Sequence, residues 1–252
     1  MRTWLLVVAL VAAPIGGCLG AKDDGARLAH PTDKVPLPPR VTPQAPTTAY
    51  NFSDPGYRVT GAWKAGDGWD YESNQSHFRR VRVLDVRTQN GGPVYVVEER
   101  TGDVGQPAAE RTVSWIDGRQ WLLLNTTRDD GGPADRYQPG VATRFWKNGS
   151  FSYNHSSVQA SGRTSAEGSV TVQSRLAGTH TTILFPWGYL EAKKVEQAAY
   201  GRDAAGNRSY ALTTHYVHRD YLNDVQYQLP GGELFKLTAV KAGDFRRGKL
   251  ST

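Results

Sequence analysis

Residues 111–127, RTVSWIDGRQWLLLNTT, carry the clearest structural signal in this 252-residue chain. Two apolar segments, rich in the β-branched and aromatic residues that favour strands, flank the pair Asp117-Gly118. An Asp-Gly pair suits the positive φ angles of a tight two-residue hairpin turn. The stretch therefore predicts an antiparallel β-hairpin whose turn lies at residues 117 and 118.

The same pattern continues on both sides of this hairpin. Upstream, RRVRVLDVRT (79–88) alternates charged and apolar residues, as a strand with one buried face does, and GGPVYVVEER (91–100) follows as its partner. Downstream, the predicted strands and hairpins are TRFWKNGSFSYN (143–154, with its turn at Asn148-Gly149), SVTVQSRL (169–176) paired with THTTILF (179–185), SYALTTHYV (209–217) and DVQYQLPGGELFKLTAV (224–240, with its turn at 230–232). Residues 187–201 are ambiguous, and a short helix is an alternative there. We therefore predict one all-β domain over residues 51–252, with about ten to twelve antiparallel strands in meander order.

Both ends of this predicted domain resemble known secreted folds. GAWKAGDGWDYE (61–72) looks like the opening strands of secreted domains with a G-x-x-W-x-Y pattern. GYLEAKKV (188–195) and residues 214–240 are similar to the closing hairpins of large curved-sheet lipoproteins, which include the lipoprotein-carrier type and related periplasmic and archaeal surface proteins. The resemblance implies a strongly curved sheet or half-barrel around an apolar concavity, with a β-sandwich as the alternative. It implies no catalytic residues.

The N-terminus predicts export and lipid attachment. A charged residue, Arg2, precedes the apolar run WLLVVALVAA (4–13), which is too short to span a bilayer and is typical of a secretory signal peptide. IGGC (15–18) follows and resembles the lipobox of prokaryotic lipoproteins. Cys18 is the only cysteine in the chain, so no disulfide can form. We predict a signal peptide at 1–17 and a lipid on Cys18, with an ordinary secreted protein as the alternative.

Residues 18–50 form a segment with a different composition. Six of their residues are proline, which removes backbone donors and favours extended conformations: Pro31, Pro36, Pro38, Pro39, Pro43 and Pro46. We interpret the segment as a semi-rigid tether that lifts the domain off the membrane. A disordered leader without a length requirement is the alternative.

Six of the eight asparagines begin an N-x-Ser/Thr sequence, whereas the serine and threonine content predicts about one by chance. These predicted N-glycosylation sites are Asn51, Asn74, Asn125, Asn148, Asn154 and Asn207. Several lie beside glycine, proline or aspartate, where turns keep a glycan in solvent. Lipobox processing is prokaryotic and heavy sequon use is uncommon in bacteria, so together they favour an archaeal cell-surface lipoprotein.

Motifs for catalysis or metal binding are largely missing from the sequence. It contains neither G-x-S-x-G nor H-E-x-x-H. His215, His218 and Asp220 are close in sequence, but alternation along a strand would send the two histidines to opposite faces. We interpret them as exposed residues at a strand end. Asp67, Asp70 and Glu72 lie beside aromatic residues and raise the possibility of glycoside cleavage, although a turn followed by a strand with core aromatics explains them better.

The charge pattern leaves the function open. The net charge of +6 falls to +5 once Arg2 is removed with the signal peptide, and RRVR (79–82) and FRRGK (245–249) are the densest basic clusters. They suit anionic lipid or an acidic surface polymer, but solvated strand faces explain them equally well, and nucleic acid is excluded by the location. We predict a lipid-anchored, N-glycosylated protein on the extracellular face of the cell membrane. Its role would be non-catalytic binding or support, without a cofactor, and its partner a cell-envelope polymer or a hydrophobic ligand. A carrier with an apolar cavity is the second hypothesis and a glycan-active enzyme the third.

Overall fold

A computed structural model describes residues 62–128, 134–144, 146, 148–159 and 164–251. The predicted signal peptide (1–17), the tether (18–50) and the first residues of the predicted domain lie outside this range.

The described residues form thirteen β-strands and one 3₁₀ turn at Arg219–Tyr221. The strands are β1 (Gly68–Ser73), β2 (His77–Gln89), β3 (Gly92–Asp103), β4 (Glu110–Asp117), β5 (Leu122–Arg128), β6 (Ala134–Ala142), β7 (Gly149–Val158), β8 (Thr164–Phe185), β9 (Gly188–Asp203), β10 (Arg208–His218), β11 (Asn223–Gln228), β12 (Leu234–Ala242) and β13 (Phe245–Arg247). The all-β prediction is confirmed. No helix in the described part of the chain is long and apolar enough to cross a bilayer.

The strands form a single antiparallel sheet in chain order, which confirms the predicted meander. The sheet closes because β1 also pairs with β12, where Trp69 lies opposite Val240. Strands β1 to β12 therefore make a complete barrel, and β13 adds three residues beside β12. The sequence predicted a curved sheet or half-barrel. The observed sheet curves further, until β1 pairs with β12.

The hairpin predicted at residues 111–127 forms, but with a longer turn. Strand β4 ends at Asp117 and β5 begins at Leu122. The Asp117 carboxylate accepts hydrogen bonds from the backbone N–H of Arg119 and of Gln120, which opens the connection to four residues. The positive φ falls on Trp121 and not on Gly118. A two-residue turn occurs instead between β2 and β3, at Asn90-Gly91, where φ is 50° and 74°.

The structure resolves one ambiguity and shows that two other local predictions were wrong. Segment 187–201, for which a short helix was an alternative, forms most of β9. Residues 169–176 and 179–185 are not a hairpin but parts of one 22-residue strand, β8, whose register shifts between Leu176 and His180. Asn148-Gly149 is not a tight two-residue turn, because β6 ends at Ala142 and β7 begins at Gly149.

Because neighbouring strands run in opposite directions, successive connections alternate between the two ends of the barrel. The chain enters the barrel at the end that holds the connections after β2, β4, β6, β8, β10 and β12. Trp63 fills this end: its ring lies 5.2 Å from Trp69, 5.4 Å from Tyr95 and 4.9 Å from Trp121, and its Nε1 donates to the Leu222 carbonyl at 3.2 Å. We call this the plugged end, and the opposite end the mouth.

The core occupies the barrel interior along its length. Alternate residues of each strand point inward and form one main hydrophobic cluster, as Val170 and Val172 of β8 and Val81 and Val83 of β2 illustrate. Polar side chains share this interior, and they provide the first candidates for a functional site.

Candidate functional site

The acidic residues singled out in the sequence do not converge on a cleft. Asp67 is buried and accepts hydrogen bonds from the backbone N–H groups of Lys64 and Gly243. Asp70 is buried and forms an ion pair with Arg82, with 2.6 Å between Oδ1 and Nη2. Glu72 is exposed. Two of the three carboxylates therefore fix the chain near the plugged end, which removes the basis for a glycosidase at this cluster.

The interpretation of His215 as an exposed strand-end residue was wrong. Its inward position on β10 buries it to 2% exposure, and its Nδ1 lies 2.9 Å from Oδ2 of Asp224, which is equally buried. His218 lies on the other face of the strand, as alternation predicts, and accepts a hydrogen bond from the Asp220 backbone N–H at 3.2 Å. No group of three or more metal-ligating side chains occurs among the described residues.

A second buried ionic pair lies close to the first. Arg79 Nη2 is 2.9 Å from Glu99 Oε2, and both side chains are 4% exposed. The Arg79 guanidinium also lies 5.2 Å from the ring of Tyr227, which stands opposite His215 on the neighbouring strand. We call the set Arg79, Glu99, Tyr227, His215 and Asp224 the interior belt.

The pKa values of Arg79, Glu99 and Tyr227 in the interior belt are shifted. Burial raises the pKa of Glu99, and the attraction of Arg79 only partly offsets this effect. For Arg79, burial acts to lower the pKa, but the charge and hydrogen bond of Glu99 outweigh it and the net pKa is raised. Burial also raises the pKa of Tyr227. The belt therefore holds Arg79 protonated and the phenol neutral.

Arg144 completes the plugged end. Its guanidinium carbon lies 3.2 Å from the centre of the Trp121 ring and 4.9 Å from that of Trp63, and its Nη2 donates to the Leu222 carbonyl at 2.6 Å. Burial lowers the pKa of Arg144 to about 9, so the group is still a cation at neutral pH. No carboxylate in the described residues reaches salt-bridge distance from it, so aromatic rings provide the main compensation.

A pocket of about 770 Å³ opens at the mouth. We call it the mouth groove. It crosses strands β5 to β9, and its lining is mostly polar: Leu124, Asn125, Arg136, Tyr137, Gln138, Asn154, His155, Ser156, Glu167, Gly168, Ser169, Arg202 and Asp203. Both signs of charge occur in it, and Tyr137 contributes a buried aromatic ring. Burial lowers the pKa of His155 against the opposing effect of Asp135, so this imidazole is neutral at physiological pH.

Asp203 in the mouth groove is already engaged. Its Oδ1 accepts from the backbone N–H of Asn207 and its Oδ2 from the Asn207 side-chain amide, both at 2.8 Å. The hydrogen bonds from Asn207 lower the pKa of Asp203. An ionised carboxylate with both oxygens occupied suits binding better than proton donation.

A smaller pocket of about 190 Å³ opens at the same end between β2, β3, β4 and the β11–β12 connection. We call it the mouth pocket. Its lining combines apolar residues with charged residues at the rim and shares no residue with the mouth groove: His77, Phe78, Arg79, Thr101, Gly102, Asp103, Ala109, Glu110, Tyr227, Leu229, Glu233 and Phe235. Arg79 and Tyr227 of the interior belt therefore reach a pocket wall.

The five described sequons differ in their surroundings. Asn74, Asn148 and Asn207 are exposed in connections, and the side-chain oxygens of Asn74 and Asn148 accept backbone hydrogen bonds at 2.9 and 2.8 Å. Asn154 is exposed but lies within β7, and Asn125 is half-buried within β5 with its Oδ1 enclosed. Both of these asparagines line the mouth groove. Asn51 and Cys18 lie outside the described residues.

The basic cluster 79–82 is not a solvated strand face throughout. Arg79 points inward to Glu99, and Arg82 pairs with Asp70. The sequence contained a signal for this arrangement. If Val81 and Val83 face the core, strand alternation places Arg79 on the same face.

No protein-family model and no curated protein matches the chain. Solved structures resemble it in fold. A candidate lipoprotein from Parabacteroides distasonis is 11% identical, with a TM-score of 0.44, covering 71% of this chain and 96% of that protein. A candidate exported protein with a YmcC-like fold from Bacteroides fragilis is 10% identical, with a TM-score of 0.41 and coverage of 71% and 96%. The hypothetical lipoprotein YmcC from Escherichia coli is 10% identical, with a TM-score of 0.38 and coverage of 70% and 84%.

Proposed function

We propose that this chain is a lipid-anchored protein of the cell envelope that binds a saccharide-rich envelope polymer, without catalysis, in the mouth groove. The anchor is Cys18, whose lipobox context supports export and lipid attachment. The observation that carries the binding role is the groove itself: about 770 Å³ of mostly polar surface across five strands.

The chemistry of the groove favours a polyhydroxylated ligand over a hydrophobic one. Gln138 and Asn154 provide amides that both donate and accept, and Ser156 provides a hydroxyl. Tyr137 also lines the groove, but its ring is 7% exposed and belongs to the main hydrophobic cluster. An apolar carrier would instead need a cavity lined mainly by hydrophobic side chains.

The same groove gives less support to a glycan-active enzyme. Acid-catalysed cleavage needs a carboxylic acid with a raised pKa beside a second carboxylate. Asp203 has a lowered pKa and two occupied oxygens. The binding role is therefore the stronger proposal.

Glycosylation and an archaeal cell surface are the second part of the proposal, supported by the sequon excess beside a lipobox. The exposed positions Asn74, Asn148 and Asn207 suit N-glycans. Asn51 is a further proposed site on its sequence alone. Asn125 and Asn154 line the groove, where a glycan would occupy the space of the ligand. We expect these two asparagines to be bare. Mass spectrometry of the native protein tests this pattern, and glycans confined to the groove would contradict it.

The binding role is tested with the full mature chain, residues 18–252, by NMR titration with chitotetraose and maltotetraose. A double variant, Gln138→Ala with Asn154→Ala, should weaken binding about tenfold or more, since each lost hydrogen bond contributes about 1 kcal/mol. Gln75→Ala is the matched control, because Gln75 is exposed at the same end and lines neither pocket. Equal affinity in all three proteins, or binding of decanoate in place of the sugars, would overturn the proposal.

Anchoring is tested separately by fractionation of cells that express the full chain. Cys18→Ser should move the protein from the membrane fraction to the soluble fraction, and the acyl mass on residue 18 should disappear. Retention of the variant on the membrane would contradict lipid attachment at this position.

A further inference from the structure

Two arginines stand side by side on the outer face of the barrel, next to the mouth groove. Arg202 of β9 and Arg208 of β10 lie directly opposite each other in the strand pairing, and both are exposed. Arg202 also lines the mouth groove. Like charges directly opposite each other destabilise a sheet, so the stability of the fold gives no reason for this pair.

The carboxylates of the mouth groove do not neutralise the two arginines. Within the described residues, neither arginine forms an ion pair. Glu167 is exposed on the neighbouring strand β8 but forms no ion pair either, and both oxygens of Asp203 are occupied by Asn207. Arg136 adds a third exposed arginine to the groove wall. Three arginines therefore face two carboxylates here, and this excess of positive charge favours an anionic ligand.

A pair of tyrosines adjoins the two arginines on the same face. Tyr200 and Tyr210 are opposite each other in the same strand pair, two residues farther from the mouth, and their ring centres are 5.3 Å apart. Tyr210 is 43% exposed. Two residues along a strand span about 7 Å, so one unit of a polymer can contact a guanidinium and a ring together. We call Tyr200, Arg202, Arg208 and Tyr210 the arginine–tyrosine patch.

The strand register leads from this patch into the mouth groove. Arg202 pairs with Ser169 of β8, Ser169 with Asn154 of β7, and Asn154 with Gln138 of β6. All of these residues line the groove. Neighbouring strands are about 4.8 Å apart, so the row from β6 to β10 spans about 19 Å. An oligosaccharide laid across the strands would therefore contact the amides of the groove at one end and the patch at the other.

The chemistry of the patch specifies one unit of such a ligand. A guanidinium is a planar donor that pairs with a carboxylate through two parallel hydrogen bonds. An exposed aromatic ring offers an apolar surface on which the face of a sugar ring can pack. A neutral sugar would leave the two like charges uncompensated, and a simple anion would leave the ring uncovered.

We propose that the arginine–tyrosine patch binds an acidic saccharide, a sugar unit that bears a carboxylate. The carboxylate lies between Arg202 and Arg208, and the sugar ring packs against Tyr210. This inference rests on the proposed function, because it assigns a charge to the polymer that occupies the mouth groove.

The first test compares tetragalacturonate with maltotetraose, a neutral oligosaccharide of the same length, by NMR titration. The protein is the mature chain, residues 18–252, produced without glycans so that none is attached to Asn207 beside the patch. At low salt, tetragalacturonate should bind about tenfold tighter, and added NaCl should reduce this advantage. Equal affinities would overturn the acidic ligand and leave the saccharide proposal intact. Binding of neither oligosaccharide would overturn both.

A double variant tests the location of the charge. Arg202→Gln with Arg208→Gln should weaken tetragalacturonate binding about tenfold and leave maltotetraose binding within about twofold. The matched control is Arg246→Gln with Arg247→Gln, which removes two exposed arginines beside the plugged end. If the control loses as much affinity for tetragalacturonate, net charge alone explains the binding and the patch is not the site.

A further variant tests the tyrosine, and vesicles test a different anionic partner. Tyr210→Ala should weaken binding of both oligosaccharides about threefold or more, whereas Tyr189→Ala, which removes a ring that is 77% exposed near the plugged end, should not. Equal effects would overturn the stacking contact. Sedimentation with phosphatidylglycerol vesicles gives the second comparison. Vesicle binding that the arginine double variant abolishes would assign the patch to a lipid surface and overturn the proposal.

Discussion

His215 Nδ1 lies 2.9 Å from Asp224 Oδ2 inside the barrel, and both residues are 2% exposed. A carboxylate only accepts hydrogen bonds, so the proton of this contact resides on Nδ1. The backbone carbonyl of Asp224 also accepts a hydrogen bond from the Tyr71 hydroxyl at 2.8 Å. Asp224 of β11 is thereby bonded to β10 through its side chain and to β1 through its backbone carbonyl.

Asp224→Ala should lower the free energy of unfolding by about 2–4 kcal/mol, because it leaves the buried His215 N–H without an acceptor. Urea denaturation measures the loss. Asp244→Ala is the control: its carboxylate is fully exposed and 3.6 Å from Lys64, so its removal should cost less than about 0.5 kcal/mol. Similar losses in the two variants would contradict the role assigned to the buried pair.

Glu99→Leu should destabilise the barrel by about 3–5 kcal/mol, because it strands the buried Arg79 cation. Adding Arg79→Met should recover most of that loss, since an apolar pair of similar volume removes the unpaired charge. The exposed pair Arg87–Asp85, at the same distance of 2.9 Å, is the matched control, and Asp85→Leu should change stability by less than about 1 kcal/mol. A double variant no more stable than Glu99→Leu alone would refute the argument.

Acid should weaken the fold partly through Glu98. Burial acts to raise the pKa of this carboxyl, but hydrogen bonds from Arg111 and Arg100 outweigh it, and the net pKa is lowered. The folded state then binds fewer protons than the unfolded chain, so the stabilisation is present above the ordinary value of 4.5 and is lost as pH falls below it. Between pH 5 and pH 3, the free energy of unfolding should therefore fall less in Glu98→Gln than in the unmodified protein. Urea denaturation at several pH values in this range measures the difference.

Glu72 is exposed, so Glu72→Gln serves as the control. In this variant the free energy of unfolding should change with pH as it does in the unmodified protein. If the free energy of unfolding of Glu98→Gln depends on pH as that of the unmodified protein does, other carboxylates account for the acid sensitivity.

Trp63→Ala should cost about 3–5 kcal/mol, because it empties the aromatic plug and leaves the Leu222 carbonyl with one donor fewer. Thermal unfolding detects the change as a lower Tm. Tyr189→Ala removes an aromatic ring that is 77% exposed and should leave the Tm almost unchanged. Equal shifts would mean that Trp63 does not stabilise the plugged end.

Much of the strand pattern could be predicted because it is local. Alternation at residues 79–88 and the turn at 230–232 identify β2 and the β11–β12 connection without any tertiary information. The closure of β1 on β12 could not be predicted in this way, because Trp69 and Val240 are distant in sequence and carry no mark of their pairing. Residues 187–201 were ambiguous for a related reason: their good helix formers are overridden by pairing with β8 and β10.

The candidate sites were less accessible to sequence reasoning than the fold. The mouth groove draws side chains from five strands, so Gln138 and Arg202 form no motif along the chain. The inward orientation of Arg79 could be predicted, because it lies two residues from the buried Val81 on the same strand. The identity of its partner, Glu99, depends on the register between β2 and β3. A charged residue in a strand usually faces solvent. Arg79 and Glu99 lie inside the barrel instead, because they form an ion pair with each other.

The pairing of β1 with β12 also sets the order of events during biosynthesis. A growing meander can add each hairpin as it emerges, but β1 keeps an open edge until residues 234–242 have been made. Such an edge is a template for unwanted association, and contacts between remote segments form slowly. The barrel can therefore close only after residue 242 has emerged, and until then β1 offers an unpaired edge to other chains.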